Sequence, residues 1–314
     1  MHRAAALDWA CLLVLVIIWG SAFAGVRIGV ETIDPMWLVT GRLLFGAAFL
    51  AIWMLAVGLA RRHDAAHNVI SWRSVAVISW RSVAWLSLVG VAFTALPYLC
   101  YAIAARSVPS AALAICNGGT PIFTALLAHH FSEGDRLTPR RTLGVALCFA
   151  GLAVLVGPAA IDGASASVSG LALAIFGAVL YACGNVATRR APSVTPVTAS
   201  LIITVSGGLA MLPAALAFAP VPAAPSMASL TAMILLAMLP TAFAMILYVW
   251  LIHRAGPVFV SFSTYLSPVW AAGVGVLFLD EALRWPMAGA LALILAGVVV
   301  ANRRPNGQGA EQAD

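Results

Sequence analysis

Apolar runs of roughly 20 residues, separated by short polar segments, fill this chain almost from one end to the other. They cover residues 9–29, 36–58, 83–105, 110–129, 140–157, 168–188, 196–219, 227–250, 257–279 and 285–302. A helix of that length crosses the hydrocarbon of a bilayer while satisfying its own backbone polar groups. The pattern predicts an all-α membrane protein with ten transmembrane helices. The first run, WACLLVLVIIWGSAFAGVRIG, lacks a convincing small-residue cleavage site and is followed at once by another span, so it reads as a retained helix and not a signal peptide.

Two runs carry a proline in their middle, NGGTPIF at 117–123 and TYLSPVW at 264–270. A proline inside a helix removes a backbone hydrogen bond and clashes with the preceding turn, at about 3 kcal/mol in water. Sliding the chain against itself by 147 positions superposes Pro121 on Pro268, Thr94 on Thr241, Tyr101 on Tyr248, Asn117 on Thr264 and Thr120 on Ser267. After a one-residue gap Asp135 falls on Glu281 and Leu137 on Leu283, and WGSAFAGVR (19–27) lies over YACGNVATR (181–189). The chain therefore reads as a duplicated five-helix unit: a first repeat over 1–157, an external Gly/Ala/Ser-rich linker over 158–167, a second repeat over 168–304, and a disordered cytoplasmic tail over 305–314. Five spans is an odd number, so the second unit enters the membrane from the opposite face. Two inverted five-helix repeats with a site near the midplane are an arrangement of secondary transporters. The tandem octapeptide VISWRSVAVISWRSVA at 69–84 reads as a neutral duplication in a tolerant loop.

Polar side chains in a membrane helix are costly unless they face protein, a partner or water, so their helical phase marks the interior. Asn117, Thr120 and Thr124 share a face of the fourth run, and Ser261, Thr264 and Ser267 repeat it in the ninth. Thr94, Tyr98 and Tyr101 form a stripe in the third, Thr241 and Tyr248 in the eighth, and Tyr181, Asn185 and Thr188 in the sixth. Trp19 and Trp270 add rings that can stack on a solute. Arg42 is the Arg lying well within a span; it either snorkels to the outer interface or faces a cavity and pairs with an anionic group such as a carboxylate. The candidate substrate-binding set is Trp19, Arg42, Tyr98, Tyr101, Asn117, Thr120, Tyr181, Asn185, Tyr248, Thr264, Ser267 and Trp270. Singly, Ser, Thr and Asn also glue helices or bond their own backbone. Their coincidence under the repeat shift, beside the two prolines, favours a lining role. Pro121 and Pro268 each free a carbonyl one turn earlier and are the candidate hinges. Asp280 and Glu281 read as capping the ninth helix, and Asp8 as preceding the first.

Hydrophobic residues make up 62% of the 314 and charged ones 9%, against about a quarter charged in soluble domains. The net charge of +6 does not mark a nucleic-acid binder, because the cations neither cluster on a soluble face nor alternate with exposed aromatics. Every cation is an Arg. Arg3, Arg61, Arg62, Arg73, Arg81, Arg136, Arg140, Arg141, Arg189, Arg190, Arg254, Arg303 and Arg304 fall on one side of the predicted membrane, and Arg27, Arg106 and Arg284 on the other. The positive-inside rule then predicts that both termini are cytoplasmic. The five cysteines sit in apolar runs without ligand spacing, so neither a disulfide framework nor a metal site is implied. His129, His130 and Glu133 fall at a solvated interface, and the chain has no HExxH, GxSxG or phosphate loop. No cofactor, metal, catalytic residue or enzymatic activity is expected. The absence of a midplane carboxylate disfavours carboxylate-borne proton coupling.

WGSAF in the first run, a Pro in the following loop with Arg42 in the second, TPIFTALL in the fourth, DRLTPRRTLGVAL leading to the fifth and SPVWAAGVGVLFLDEAL in the ninth together resemble the EamA-type branch of the drug/metabolite transporter superfamily. The resemblance covers nearly the whole chain, in two copies. It implies paired EamA domains of ten helices in the bacterial inner membrane, with export or exchange of small metabolites, often amino acids. The family's acidic residue after the fourth and ninth helices falls on Asp135 and Glu281; the first copy reads EGDRL, with Glu133 displaced. The expected partners are a small-molecule metabolite and the lipid bilayer. The rival from another class is a membrane-embedded sensor or assembly subunit without transport.

Overall fold

The computed structural model describes residues 6–60, 79–131, 139–161, 165–189, 194–221, 224–255, 257–260, 262–282 and 284–302. Among these the regular structure is helical, with no strand. The helices are α1 (Ala6–Gly29), α2 (Pro35–Ala60), α3 (Trp80–Ala104), α4 (Ser110–Gly118 and Thr120–Phe131, parted at Gly119) and α5 (Pro139–Ile161). There follow α6 (Ser165–Arg189), α7 (Pro196–Phe218), α8 (Met227–Leu236, Ala237–Phe243 and Ala244–Ala255 in one run), α9 (Pro257–Val260 and Phe262–Phe278) and α10 (Trp285–Asn302). Seven helices are long and apolar enough to cross a membrane; Thr142–Gly157, Phe262–Phe278 and Trp285–Val300 are shorter apolar helices. Leu13, Ile52, Phe176, Leu216 and Leu277 all point outward, each more than half exposed. Such a surface would drive aggregation in water and matches lipid as solvent.

Local signals set the helix starts. Asp34 Oδ1 accepts the Met36 amide at 2.9 Å ahead of Pro35, and Thr195 Oγ1 accepts the Thr198 amide ahead of Pro196. Each pairs a capping oxygen with a proline whose missing N–H would have been orphaned there. Thus α2 and α7 open with the same device. The stretch 158–167, expected as a linker, is mostly helical: α5 continues to Ile161 and α6 begins at Ser165. Its alanines keep good helix propensity after the long apolar side chains have run out. Of the octapeptide pair, residues 69–78 lie outside the described residues, and the second copy opens α3 behind the Ser79 cap. The tail 305–314 also lies outside them.

Two ends of the bundle can be told apart by what ties them. At one end Arg106 pairs with Asp34 at 3.0 Å, the Ser226 amide donates to Thr32 Oγ1 at 2.9 Å, and Ser229 Oγ donates to the Ile28 carbonyl at 2.8 Å. Glu281 holds the start of α4 there as well. At the other end Arg254 Nε meets Asp8 Oδ1 at 2.6 Å and Trp85 Nε1 donates to the Ala187 carbonyl at 3.1 Å. Asp8, expected to precede the first span, lies inside α1 and is buried, because Arg254 draws its carboxylate inward.

The packing pairs helices across the two units. α5 packs most extensively on α10 and α2 on α7; α1 lies against both α8 and α9, and α4 against both α9 and α6. A Cβ on Gly151 would meet Ala290 and Ile294, and one on Gly297 would meet Gly144 and Cys148, so α5 and α10 run antiparallel. Gly118 faces Pro268 while Gly275 faces Ser110, which makes α4 and α9 antiparallel too. The backbones approach closely at these glycines: a Cβ on Gly297 would lie 2.6 Å from the Gly144 carbonyl oxygen. Without a hydrophobic force between helices in lipid, such close approach supplies the packing.

The third and eighth helices each contain a π-helical turn, Val91–Ala95 and Ala237–Phe243. Shifted by the repeat offset, the first falls within the second. The prolines nearby, Pro97 and Pro240, do not superpose; the distorted turns do. The α8 turn packs on α2 and the α3 turn on α7.

Candidate functional site

The second helix turns Arg42 inward, with 8% of the residue exposed. It stands seven residues into α2, about 10 Å along the axis from the Asp34 end. Snorkelling to that interface, one of the two expected outcomes, does not occur: Nε donates to Thr241 Oγ1 at 2.9 Å, and the guanidinium carbon lies 3.8 Å from the centroid of the Tyr98 ring. The ring face offers a negative quadrupole at a place where water is scarce. Thr241 also donates to the Leu236 carbonyl at 2.8 Å, across the π-helical turn of α8. π-helical turns are frequent at functional sites, and this one presents the hydroxyl that holds Arg42.

Around Arg42 the tyrosines form a cage. Tyr181 from α6 lies 6.1 Å from Tyr98 edge-on and 5.9 Å from Tyr101 in a stacked pair, while Phe23 from α1 meets Tyr101 edge-on at 5.6 Å. Asn117 Oδ1 accepts from Tyr101 Oη and from Thr120 Oγ1, both at 3.4 Å. Thr124 Oγ1 donates to the Thr120 carbonyl at 2.9 Å and accepts from Asn185 Nδ2 at 3.3 Å. The fourth-helix stripe is thus continuous with the sixth-helix one, running from the buried cage to Asn185, which is exposed.

The remaining candidates form a second group beside it. Trp19, one turn before Phe23 on α1, lies 5.5 Å from Tyr248. Ser267 is buried and donates to the Ser263 carbonyl at 2.7 Å, so its hydroxyl serves its own helix. Its carbonyl packs against Gly20 of α1. Thr264 is half-buried one turn earlier. Trp270 is 40% exposed, and its Nε1 donates to Ser21 at 2.9 Å. Ser261 and Asp135 lie outside the described residues, as does the side chain of Thr188.

The two prolines occupy different local settings. Pro268 lies inside the continuous helix Phe262–Phe278. Pro121 is the second residue of the lower half of α4, just after the break at Gly119, a position where helix starts tolerate a proline. The fourth helix is parted two residues before its proline, and the ninth runs on through its own.

As expected, Glu281 caps the ninth helix, its amide donating to the Gly275 carbonyl at 3.0 Å. Its Oε1 accepts the Ser110 amide at 2.7 Å, and its Oε2 accepts the Ser110 hydroxyl at 3.0 Å and the Ala111 amide at 3.2 Å. Through its side chain it also caps α4, where a carboxylate suits the orphan amides and the helix dipole. Asp280 before it adopts φ 52°, a left-handed turn that swings the carboxylate across. The carboxylate also borders a cavity of about 270 Å³ lined by Arg27, Glu31, Arg106, Ser107, Val108, Pro109 and Leu279.

Sequence reasoning missed the Arg42–Thr241 bond and the equivalent π-helical turns. The available signal was the superposition of Thr94 on Thr241 next to unmatched prolines.

Residues 8–157 and 168–303 each match the EamA-like transporter family. This chain belongs to that family. Among relatives, the Escherichia coli (strain K12) protein named "Uncharacterized inner membrane transporter YedA" is 26% identical over 293 residues, covering 93% of this chain and 89% of the relative. A "Probable amino-acid metabolite efflux pump" of the same strain is 23% identical over 198 residues, covering 62% of this chain and 58% of the relative. One solved crystal structure superposes with a TM-score of 0.62 at 22% identity, covering 95% of this chain and 97% of the other, a likeness of fold. Within the EamA-like family, then, this member is a membrane transporter with the Arg42 cage at the junction of α2, α3, α6 and α8.

Proposed function

We propose that this EamA-like protein is an integral membrane secondary transporter that exports or exchanges small organic metabolites, such as amino acids, by alternating access. The reading takes the helices α1 to α10 as ten spans in two inverted five-helix repeats. Both termini are cytoplasmic, in the bacterial inner membrane, and the Glu281 end faces outward. The observation that carries it is the antiparallel packing of equivalent helices, α4 on α9 and α5 on α10, with a buried, polar cage where the units meet. A bundle in which each unit can take the other's place has two nearly equal shapes, one open to each side, which is the physical basis of alternating access. The name of the amino-acid efflux relative supports the solute class, and the polar stripe from Tyr101 to Asn185 supports a path from the cage toward one face.

Purified protein in liposomes is expected to move a labelled amino acid or related metabolite with saturable kinetics and counterflow. Linear flux of every solute would replace the transporter reading with a channel. No flux, with cysteines at Thr120 and Ser267 shielded from water-soluble thiol reagents on both sides, would replace it with a sensor or assembly subunit.

A further inference from the structure

Arg42 is the one charged side chain among the described residues that stands away from helix ends. Its Nε is bonded to Thr241, but Nη1 and Nη2 bond no described residue, and neither is sealed inside the protein. The same holds for the hydroxyls of Tyr98, whose ring faces the guanidinium, and of Tyr181, whose ring meets Tyr98. The described carboxylates are all elsewhere: Asp8, Glu31, Asp34, Asp280 and Glu281 lie at helix ends or in connections. Asp8, Asp34 and Glu281 are already committed to Arg254, Arg106 and the start of α4. Among the described residues, the interior away from the helix ends thus holds one positive charge, with four forked N–H donors, and no negative charge to balance it.

A buried cation without a counter-ion is unfavourable, and one ring face offsets only part of the penalty. The missing partner is an anion that enters with the solute. A guanidinium edge with two free nitrogens fits a planar carboxylate bidentately, and a single Arg balances one negative charge and not two. An ammonium group entering the same cage meets a like charge, finds no carboxylate, and finds the Tyr98 face already covered by Arg42.

We propose that the transported solute is a small monocarboxylate, held by its carboxylate on Arg42 Nη1 and Nη2. The tyrosine cage takes its apolar body, and an α-ammonium group, where the solute has one, adds nothing to binding. This rests on the transporter reading above and names what its site recognises.

The test is equilibrium binding to the purified full-length protein of two matched triplets. One is 3-phenylpropionate, phenylalanine and phenethylamine; the other is 4-methylpentanoate, leucine and isoamylamine. In at least one triplet the carboxylate without an amine is expected to bind as tightly as the amino acid or more tightly, and the amine not at all. Arg42→Gln should weaken the carboxylate at least tenfold, while Arg42→Lys, checked by size-exclusion profile to be folded, should recover part of that loss. An amino acid binding more than tenfold tighter than its deaminated partner would overturn the proposal, as would amine binding, binding unaffected by Arg42→Gln, or no carboxylate bound in either triplet. Saturable flux of some other solute in liposomes alongside any of those results would leave the transporter reading standing and remove the substrate class alone.

Discussion

Replacing Glu281 by Ala tests whether the cap on α4 is also the fastening between the two units. The wild-type carboxylate accepts two backbone amides and one hydroxyl from Ser110 and Ala111, all across the boundary between the repeats. Hydrogen bonds to a charged group contribute about 1.5–3 kcal/mol each when buried. Here the cap borders a cavity of about 270 Å³, so water can reach the amides once the side chain is cut back. That lowers the net cost to about 2 kcal/mol for the three together, near the top of the range for losing an N-cap. If the bonds exist only in the shape closed at this end, 2 kcal/mol shifts the balance toward the open shape by up to about 30-fold. The assay is the rate at which a membrane-impermeant thiol reagent, applied from the Glu281 side of proteoliposomes, labels a cysteine placed at Thr120, in the presence and absence of Glu281→Ala. Labelling should accelerate by up to that factor, and Glu281→Gln, which keeps one acceptor oxygen, should fall between. Gly275→Ala should act in the same direction, since its Cβ would lie 2.5 Å from Glu281 Oε2. Unchanged labelling together with a lower melting temperature would refute the reasoning and leave Glu281 as a structural cap.

Three further perturbations follow from the contacts. Thr241→Val removes the acceptor for Arg42 Nε and the tie across the π-helical turn; transport should fall at least tenfold, with Thr241→Ser near wild type in the same liposome assay. Gly297→Leu forces a side chain into the 2.6 Å approach to the Gly144 carbonyl, so detergent-extracted protein should lose its monodisperse size-exclusion peak, while Gly273→Leu, where a Cβ meets nothing within 4 Å, should keep it. Asp8→Asn leaves the half-exposed Arg254 without its partner and should cost about 1–2 kcal/mol, read as a lower melting temperature that high salt narrows, because salt weakens the wild-type pair.

Periodicity and composition were enough to place the helices, because a bilayer admits few other solutions for runs as long as 9–29 or 227–250. The pairing of Asn117 with Thr264 and of Pro121 with Pro268 was legible because a duplication leaves residues in register. The helix ends were less so: alanines carried α5 to Ile161 through a stretch whose composition reads as linker. The same limit applied to Asp8, which the linear pattern places before a span and which Arg254, 246 positions away, draws into α1.

The chain alone determined that the protein is helical, apolar and duplicated, and that Arg42 is exceptional among its cations. Which way Arg42 turns was decided only in three dimensions, by a ring on α3 and a hydroxyl on a π-helical turn of α8. The same is true of Glu281, whose sequence position next to α9 gives no sign that its partner is the start of α4. Local sequence encodes what each helix requires of its solvent. The partner of a buried charge depends on which distant helix the packing brings within about 3 Å, and no local pattern records that distance.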